Sequence, residues 1–194
     1  MRRWVLASGS PRRRELFKLL VSEFEVVPSD VDESFRTEET AESLVRRLSS
    51  EKAAAVQIIH PTASILAADT VVVCDDQILG KPASAQEASS MLRSISGRSH
   101  EVLTGVCLTH SGQYWSEVCM TRVQFSELSA AEIEAYVASG EPLDKAGAYG
   151  IQGTGARFID RIEGCYFNVV GLPVSLVYRM MLKSGYTPNG QSHS

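Results

Sequence analysis

A mixed α/β fold is predicted for this 194-residue chain on three observations. Apolar runs short enough for buried strands recur along most of its length. Segments with helical spacing and helix-capping residues alternate with them. Neither kind is gathered at one end, and no internal repeat or clean linker divides the chain.

The elements follow in order. Residues 4–7, Trp-Val-Leu-Ala, suit a buried strand, which Ser8-Gly9-Ser10 breaks. Pro11 then opens a helix whose apolar residues are Leu16, Phe17, Leu19 and Leu20. Residues 24–27 read as a second strand ending at Pro28, and the acidic stretch 29–39 has no period and reads as loop. Thr40 is a suitable N-cap for a long helix carrying Leu44, Val45, Leu48, Ala55 and Ile58, and Pro61 closes it. Residues 64–74 form a nearly unbroken apolar run with β-branched members, the pattern of a buried strand. Asp75-Asp76 makes a turn and Ile78-Leu79 a short return strand.

Ser84 and Glu87 have capping-box spacing and start a helix through Met91, Leu92 and Ile95. Residues 102–108 and 115–125 read as a hairpin around Ser111-Gly112. Ser129 and Glu132 form a second capping box, with Gly140 at the matching helix end. A glycine-rich segment, 147–155, leads to strands predicted at 158–159 and 166–170. Pro173 begins a last helix through Met181, and residues 185–194 form a polar tail expected to be disordered.

Composition excludes several classes. With 44% hydrophobic and 22% charged residues the chain can bury a sizeable core. A formal net charge of -4 argues against binding nucleic acid through bulk electrostatics. No run approaches the length of a membrane span, and the N-terminal apolar stretch is too short for a signal peptide, so a cytoplasmic protein is expected. Cys74, Cys107, Cys119 and Cys165 are scattered without a C-x-x-C pair, which predicts reduced thiols rather than a zinc cage or disulfide framework. No Gly-x-Ser-x-Gly elbow appears, against an acyl-transfer hydrolase.

Three groups of residues break local rules. Arg12-Arg13-Arg14 lies in the first turn of a helix, where cations oppose the helix dipole by up to about 1 kcal/mol each. Preceded by Ser8, Gly9 and Ser10 in a strand-loop-helix setting, those arginines favour phosphate binding over a merely solvated basic turn. Asp69 stands inside the apolar run of residues 65–73. Either it ends a strand facing solvent, or it is buried opposite a metal or a lysine, since an unpaired buried carboxylate is too costly. Asp30, Asp32 and Glu33 could supply hard oxygen ligands, although such a cluster more often marks a solvated face. Lys52, Lys81 and Lys145 lie near these elements, with Lys81 fixed between Gly80 and Pro82. The glycine-rich segment has neither phosphate-loop nor dinucleotide-fingerprint spacing.

Leu6-Ala7-Ser8-Gly9-Ser10-Pro11-Arg12-Arg13-Arg14-Glu15-Leu16 resembles the signature of the Maf family of nucleotide pyrophosphatases. So do Ala68-Asp69-Thr70-Val71-Val72, Gly80-Lys81-Pro82, Met91-Leu92-Arg93 with Ser96-Gly97-Arg98, and Asp144-Lys145-Ala146-Gly147-Ala148-Tyr149-Gly150-Ile151-Gln152-Gly153. Val170-Gly171-Leu172-Pro173 completes the series in family order. The resemblance implies a two-lobed fold over residues 1–184, related to the inosine triphosphate pyrophosphatases, with a central cleft. It also implies hydrolysis of a nucleoside triphosphate to the monophosphate and pyrophosphate, with a divalent cation, Mg²⁺ or Mn²⁺, as cofactor.

By the same resemblance Asp69 is the catalytic carboxylate, with Ser8, Arg13, Glu33, Lys52 and Lys81 in the phosphate and metal site. Asp69 and Glu33 would be the metal ligands. Arg12, Thr70 and Gln152 match the subgroup acting on dTTP and UTP, whereas the 7-methyl-GTP subgroup carries an aromatic at the first of these positions and a carboxylate at the third. Gln152 also has its own logic, because an amide offers the donor and acceptor that match the edge shared by uracil and thymine. Removal of modified pyrimidine nucleotides and a part in cell-division arrest are further expectations. Neither a nucleic-acid nor a membrane partner is expected, and the assembly is left open, a homodimer included. The alternative reading is a nucleotide-sensing regulator that binds without cleaving.

Overall fold

The computed structural model describes residues 3–186 and is a mixed α/β fold. Seven strands form one sheet in the order β2-β1-β3-β5-β6-β7, with β4 paired to β3. They are β1 (Trp4–Leu6), β2 (Glu25–Val26), β3 (Ser64–Cys74), β4 (Gln77–Leu79), β5 (Ser99–His110), β6 (Gln113–Phe125) and β7 (Ile159–Glu163). Strand β1 pairs in parallel with β2 and β3, while β3–β4 and β6–β7 are antiparallel. Among the described residues six α-helices accompany them: α1 (Pro11–Lys18), α2 (Ala41–Ile59), α3 (Ala85–Ile95), α4 (Ala130–Ala138), α5 (Tyr166–Val170) and α6 (Val174–Lys183), with three short 3₁₀ turns between Glu141 and Phe158.

The chain divides into two compact units. The first comprises the residues up to Asp69, Thr104–Cys119 and the residues from Gly171; the second comprises Thr70–Leu103 and Met120–Val170. Strands β3, β5 and β6 therefore contribute residues to both. In the first unit Val5 and Ala7 of β1, Ile65 and Ala67 of β3 and Cys107 of β5 pack with Ala53 and Val56 of α2. Small side chains there let backbone approach backbone. A Cβ added at Gly105 would lie within 2.1 Å of the Val45 carbonyl oxygen, so α2 can lie on β5 only because that residue is glycine. Trp4 stacks on His110 and meets Phe17 and Tyr186 edge-on. Of the polar tail, Tyr186 is thus in contact with β1, and residues 187–194 lie outside the described residues.

The second unit is built around Leu92 and Ile95 of α3, Ile133 and Tyr136 of α4, and Phe125, Tyr149 and Phe158. Its capping differs between two helices whose sequences look alike. Ser129 and Glu132 form the full reciprocal box at α4. At α3 the Ser84 hydroxyl accepts from the Glu87 N–H, but the Glu87 carboxylate accepts from the Ala83 N–H at 2.6 Å, one residue outside the expected partner. Asp75 and Asp76 both take positive φ, 48° and 62°, the two-residue turn expected between β3 and β4. Ser111 and Gly112 do the same between β5 and β6.

One element is not what the sequence predicts. Residues 166–170 are helix α5 rather than a strand. A five-residue apolar run carries too little periodicity to separate the two. What fixes the helix is tertiary: buried Asn168 donates to the Val102 carbonyl at 2.9 Å and to Thr121 Oγ1 at 3.0 Å.

Candidate active site

Strand β1 delivers Ser8 to the start of α1. Ser10 caps that helix, its hydroxyl accepting from the Arg13 N–H at 3.4 Å, and Pro11 occupies the first turn. The first turn carries no acidic residue, and Glu15, the one carboxylate of α1, pairs with Lys18. Arg13 is held at two points: Nε donates to the Gly171 carbonyl at 2.9 Å and Nη1 to Ser8 Oγ at 3.3 Å. Burial pushes its pKa down, the charge of Asp69 pushes it up, Arg12 lowers it and Glu33 raises it. An arginine stays charged through such shifts, and the opposing influences place Asp69 and Glu33 within electrostatic reach of the guanidinium.

Helix α2 presents its apolar stripe as Leu44, Leu48 and Val56, all buried, at four-residue steps with one gap. Lys52 occupies that gap and is 7% exposed. Its Nζ donates to Asp69 Oδ1 at 2.6 Å and lies 2.6 Å from Glu33 Oε1. Asp69, 8% exposed, is therefore the buried carboxylate facing a lysine rather than a strand-end residue facing solvent. Glu33 arrives from the loop before α2 and is more exposed. That loop is pinned by Arg47, which forks onto Glu39 at 2.7 and 2.8 Å and donates to the Ser34 carbonyl, next to Glu33, at 3.0 Å. Asp32 turns back on its own loop, accepting from the Ser34 N–H, and Asp30 is exposed.

Ser8, Arg13, Glu33, Lys52 and Asp69 thus form one connected cluster in the first unit, with Arg12 adjoining. Two carboxylates meeting one cation is the number Mg²⁺ takes from protein when substrate phosphates complete its shell, and hard oxygen donors suit Mg²⁺ and Mn²⁺ alike. Among the described residues no group of three or more His, Cys, Asp or Glu gathers as a self-sufficient metal cage. The donor set fits a metal that arrives with a phosphate.

The other candidates belong to the second unit. Thr70 follows Asp69 on β3 and is half-buried. Lys81 is exposed, next to Gly80, whose carbonyl accepts from the Gly147 N–H at 3.1 Å. Gly147 has φ 69°, and a Cβ there would meet Val72 Cγ2 at 2.7 Å. Gln152 is exposed on the loop of residues 150–155. Lys145 is committed locally, to the Glu141 carbonyl and the Asp144 carboxylate, each at 2.6 Å. Asp75 pairs with Arg98, consistent with a turn residue.

Arg47, the Gly171 carbonyl and Glu141 have no signature in the sequence: Arg13 lies 158 residues from Gly171, and the partners of Arg47 and Glu141, 4 to 14 residues away, sit on loops without periodicity or on neighbouring elements. Lys52 had a legible signal, a lysine at an apolar-stripe position of a long helix.

Fold and site together describe a mixed α/β protein whose first unit sets a buried carboxylate, Asp69, and the more exposed Glu33 against the ammonium of a buried lysine. The chain belongs to the Maf family: the model of that family, described as Maf-like protein, matches residues 3–184. It is 50% identical over 182 residues to a dTTP/UTP pyrophosphatase of Syntrophomonas wolfei, covering 93% of this chain and 96% of that one. It is 48% identical over 187 residues to a dTTP/UTP pyrophosphatase of Halalkalibacterium halodurans, covering 96% and 98%. Among solved structures a HAM1 protein from Coxiella burnetii is similar with a TM-score of 0.52 and 14% identity, over 94% of this chain and 100% of that one, a likeness of fold alone. No described helix is long and apolar enough to cross a membrane.

Proposed function

We propose that this chain is a cytoplasmic nucleoside triphosphate pyrophosphatase that hydrolyses dTTP and UTP to the nucleoside monophosphate and pyrophosphate. The relatives' names support the substrate, and the observation that carries the chemistry is the Lys52 ammonium at 2.6 Å from both Asp69 and Glu33. A polyphosphate needs fixed positive charge, and a site of preorganised charges strengthens as the leaving group becomes more negative.

Arg13, held by Ser8 and the Gly171 carbonyl, presents its charge to the phosphates without first having to be ordered, and the N–H groups opening α1 add to that cradle. Lys52 orients Asp69 and offsets charge building on the departing pyrophosphate. Asp69 orients the water that attacks the α-phosphorus; the bond to the oxygen bridging α and β phosphorus breaks and pyrophosphate leaves. Asp69 and Glu33 would hold a Mg²⁺ or Mn²⁺ ion, which supplies Lewis-acid polarisation and a more acidic water when bound. Lys81 in phosphate binding, and Arg12, Thr70 and Gln152 in base choice, are assigned on the family resemblance. A methyl group changes binding by only about 1–3 kcal/mol, so one pocket accepting both uracil and thymine is expected.

Incubating the protein with UTP and Mg²⁺ or Mn²⁺ and identifying the products tests this reading. Monophosphate plus pyrophosphate is expected; diphosphate plus orthophosphate excludes the reaction, and binding without cleavage favours a sensor.

A further inference from the structure

The loop carrying Gln152 is tied at both ends to one side-chain pair. Tyr136 of α4 accepts from the Gly150 N–H at 3.0 Å and donates to Glu141 Oε1 at 2.9 Å. Glu141 in turn accepts from the far end of the loop: Thr154 N–H and O–H donate to Oε2 at 2.9 and 2.6 Å, and the Gly155 N–H to Oε1 at 3.3 Å. Four donors converge on two carboxylate oxygens. Burial raises the Glu141 pKa, but the Thr154, Tyr136 and Gly155 hydrogen bonds outweigh it and bring it to about 2, so the group is a fixed anion at neutral pH.

The fit leaves no slack. A Cβ at Gly153 would lie 2.2 Å from Glu141 Oε1, at Gly155 2.5 Å from the Tyr136 hydroxyl, and at Gly150 2.6 Å from Lys145 Cε. The three glycines let the loop backbone close down on the Tyr136–Glu141 pair, and only Ile151, Gln152 and Gly153 bridge the two anchored ends. Gln152 is exposed at that bridge. A side chain that discriminates by an amide donor and acceptor needs its backbone held to a fraction of an ångström, because hydrogen bonds weaken steeply with misalignment.

We infer that Glu141, with Tyr136, is a specificity-positioning residue: it fixes the loop that presents Gln152 to the base. The inference rests on the proposed reading of Gln152 as the residue that meets the base. Glu141 touches no substrate and acts only through that loop.

Glu141→Gln tests it. Whichever oxygen becomes NH₂ then faces two donors, Thr154 N–H and O–H or Gly155 N–H and Tyr136 O–H. Steady-state kinetics of wild type, Glu141→Gln, Gln152→Ala and the double variant on UTP and GTP form the experiment, with thermal melts as the check on folding. In Glu141→Gln the KM for UTP should rise about tenfold while kcat stays within about twofold, and the preference for UTP over GTP should narrow. In the Gln152→Ala background the same change should alter the preference no further, because the two residues act on one interaction. Should Glu141→Gln fail to fold, Thr154→Val removes one donor to Glu141 at equal size and should shift KM in the same direction by less. Independent, additive effects in the double variant, or equal loss on UTP and GTP in Glu141→Gln or Thr154→Val, would overturn the positioning role while leaving Gln152 as base reader. An unchanged UTP preference in Gln152→Ala would instead sink the reading of Gln152, and the inference with it.

Discussion

Replacing Asp69 by asparagine separates charge from shape at the centre of the first unit. The amide keeps an oxygen that can accept from Lys52, and Glu33 remains 2.6 Å from the same ammonium. The lysine is therefore not stranded. A hydrogen bond to a charged group contributes about 1.5–3 kcal/mol, and the amide retains part of it. The expected cost is about 1–2 kcal/mol, a drop in Tm of about 2–8 °C for a chain of this size. Lys52→Met is the contrasting change, because it leaves a carboxylate 8% exposed without its ammonium. Breaking a buried pair from that side costs about 3–5 kcal/mol. Activity should fall far more than stability: on the proposed reading Asp69→Asn loses about 10²–10⁴-fold in kcat, since it removes the charge that orients the attacking water. Pyrophosphate release from UTP and urea unfolding curves, run on both variants and on Asp75→Asn, supply the comparison. Asp75 pairs with Arg98 at the surface, where such pairs contribute at most about 1 kcal/mol. Turnover in Asp69→Asn within about threefold of that in Asp75→Asn would refute the catalytic reading of Asp69.

Three further outcomes are expected. On the proposed reading of Gln152 as the base reader, Gln152→Glu puts a carboxylate against the O4 acceptor of UTP and should cost UTP and dTTP about 5- to 150-fold in kcat/KM, with GTP suffering less; equal losses on all three would place Gln152 in scaffolding. Buried His100 has its pKa lowered by burial from 6.5 to about 4. The neutral form is favoured in the folded state, so this contribution to stability is present above pH 6.5 and is lost as pH falls towards 4. Urea unfolding should show about 2 kcal/mol less stability at pH 5 than at pH 7, a difference that His100→Gln removes. Gly105→Ala forces a Cβ against the Val45 carbonyl of α2 and should destabilise by about 3 kcal/mol or more; a Tm within about 2 °C of wild type would show that α2 can move aside.

What was legible in the sequence was local. The strand over 64–74, the N-caps at Thr40, Ser84 and Ser129, and the turns at Asp75-Asp76 and Ser111-Gly112 follow from side-chain chemistry within a few residues, and the structure has them. Asp69 was legible as an anomaly, a charge in an apolar run, and Lys52 as a lysine in an apolar stripe, but no local pattern says that the two meet. Lys52 lies 17 residues away and Glu33 reaches it from a loop without periodicity. The strand expected at 166–170 fails for the same reason in reverse: the hydrogen bonds of Asn168 that settle the helix run 66 and 47 residues back along the chain. Glu141 precedes a proline, and nothing nearby in sequence says that four donors will turn towards it.

The bond from Arg13 to the Gly171 carbonyl spans 158 residues. It sets a schedule for the newborn polypeptide. At bacterial or eukaryotic elongation rates of about 5–20 residues per second, roughly 8–30 s separate the synthesis of the arginine from that of its acceptor. Through that interval the first unit also lacks α6, so its opening strand and helix emerge from the ribosome long before the segment that completes them. Contacts between residues so far apart in sequence are late and slow to form. Arg13 has its Ser8 anchor from the start and gains the second only once residue 171 has been made.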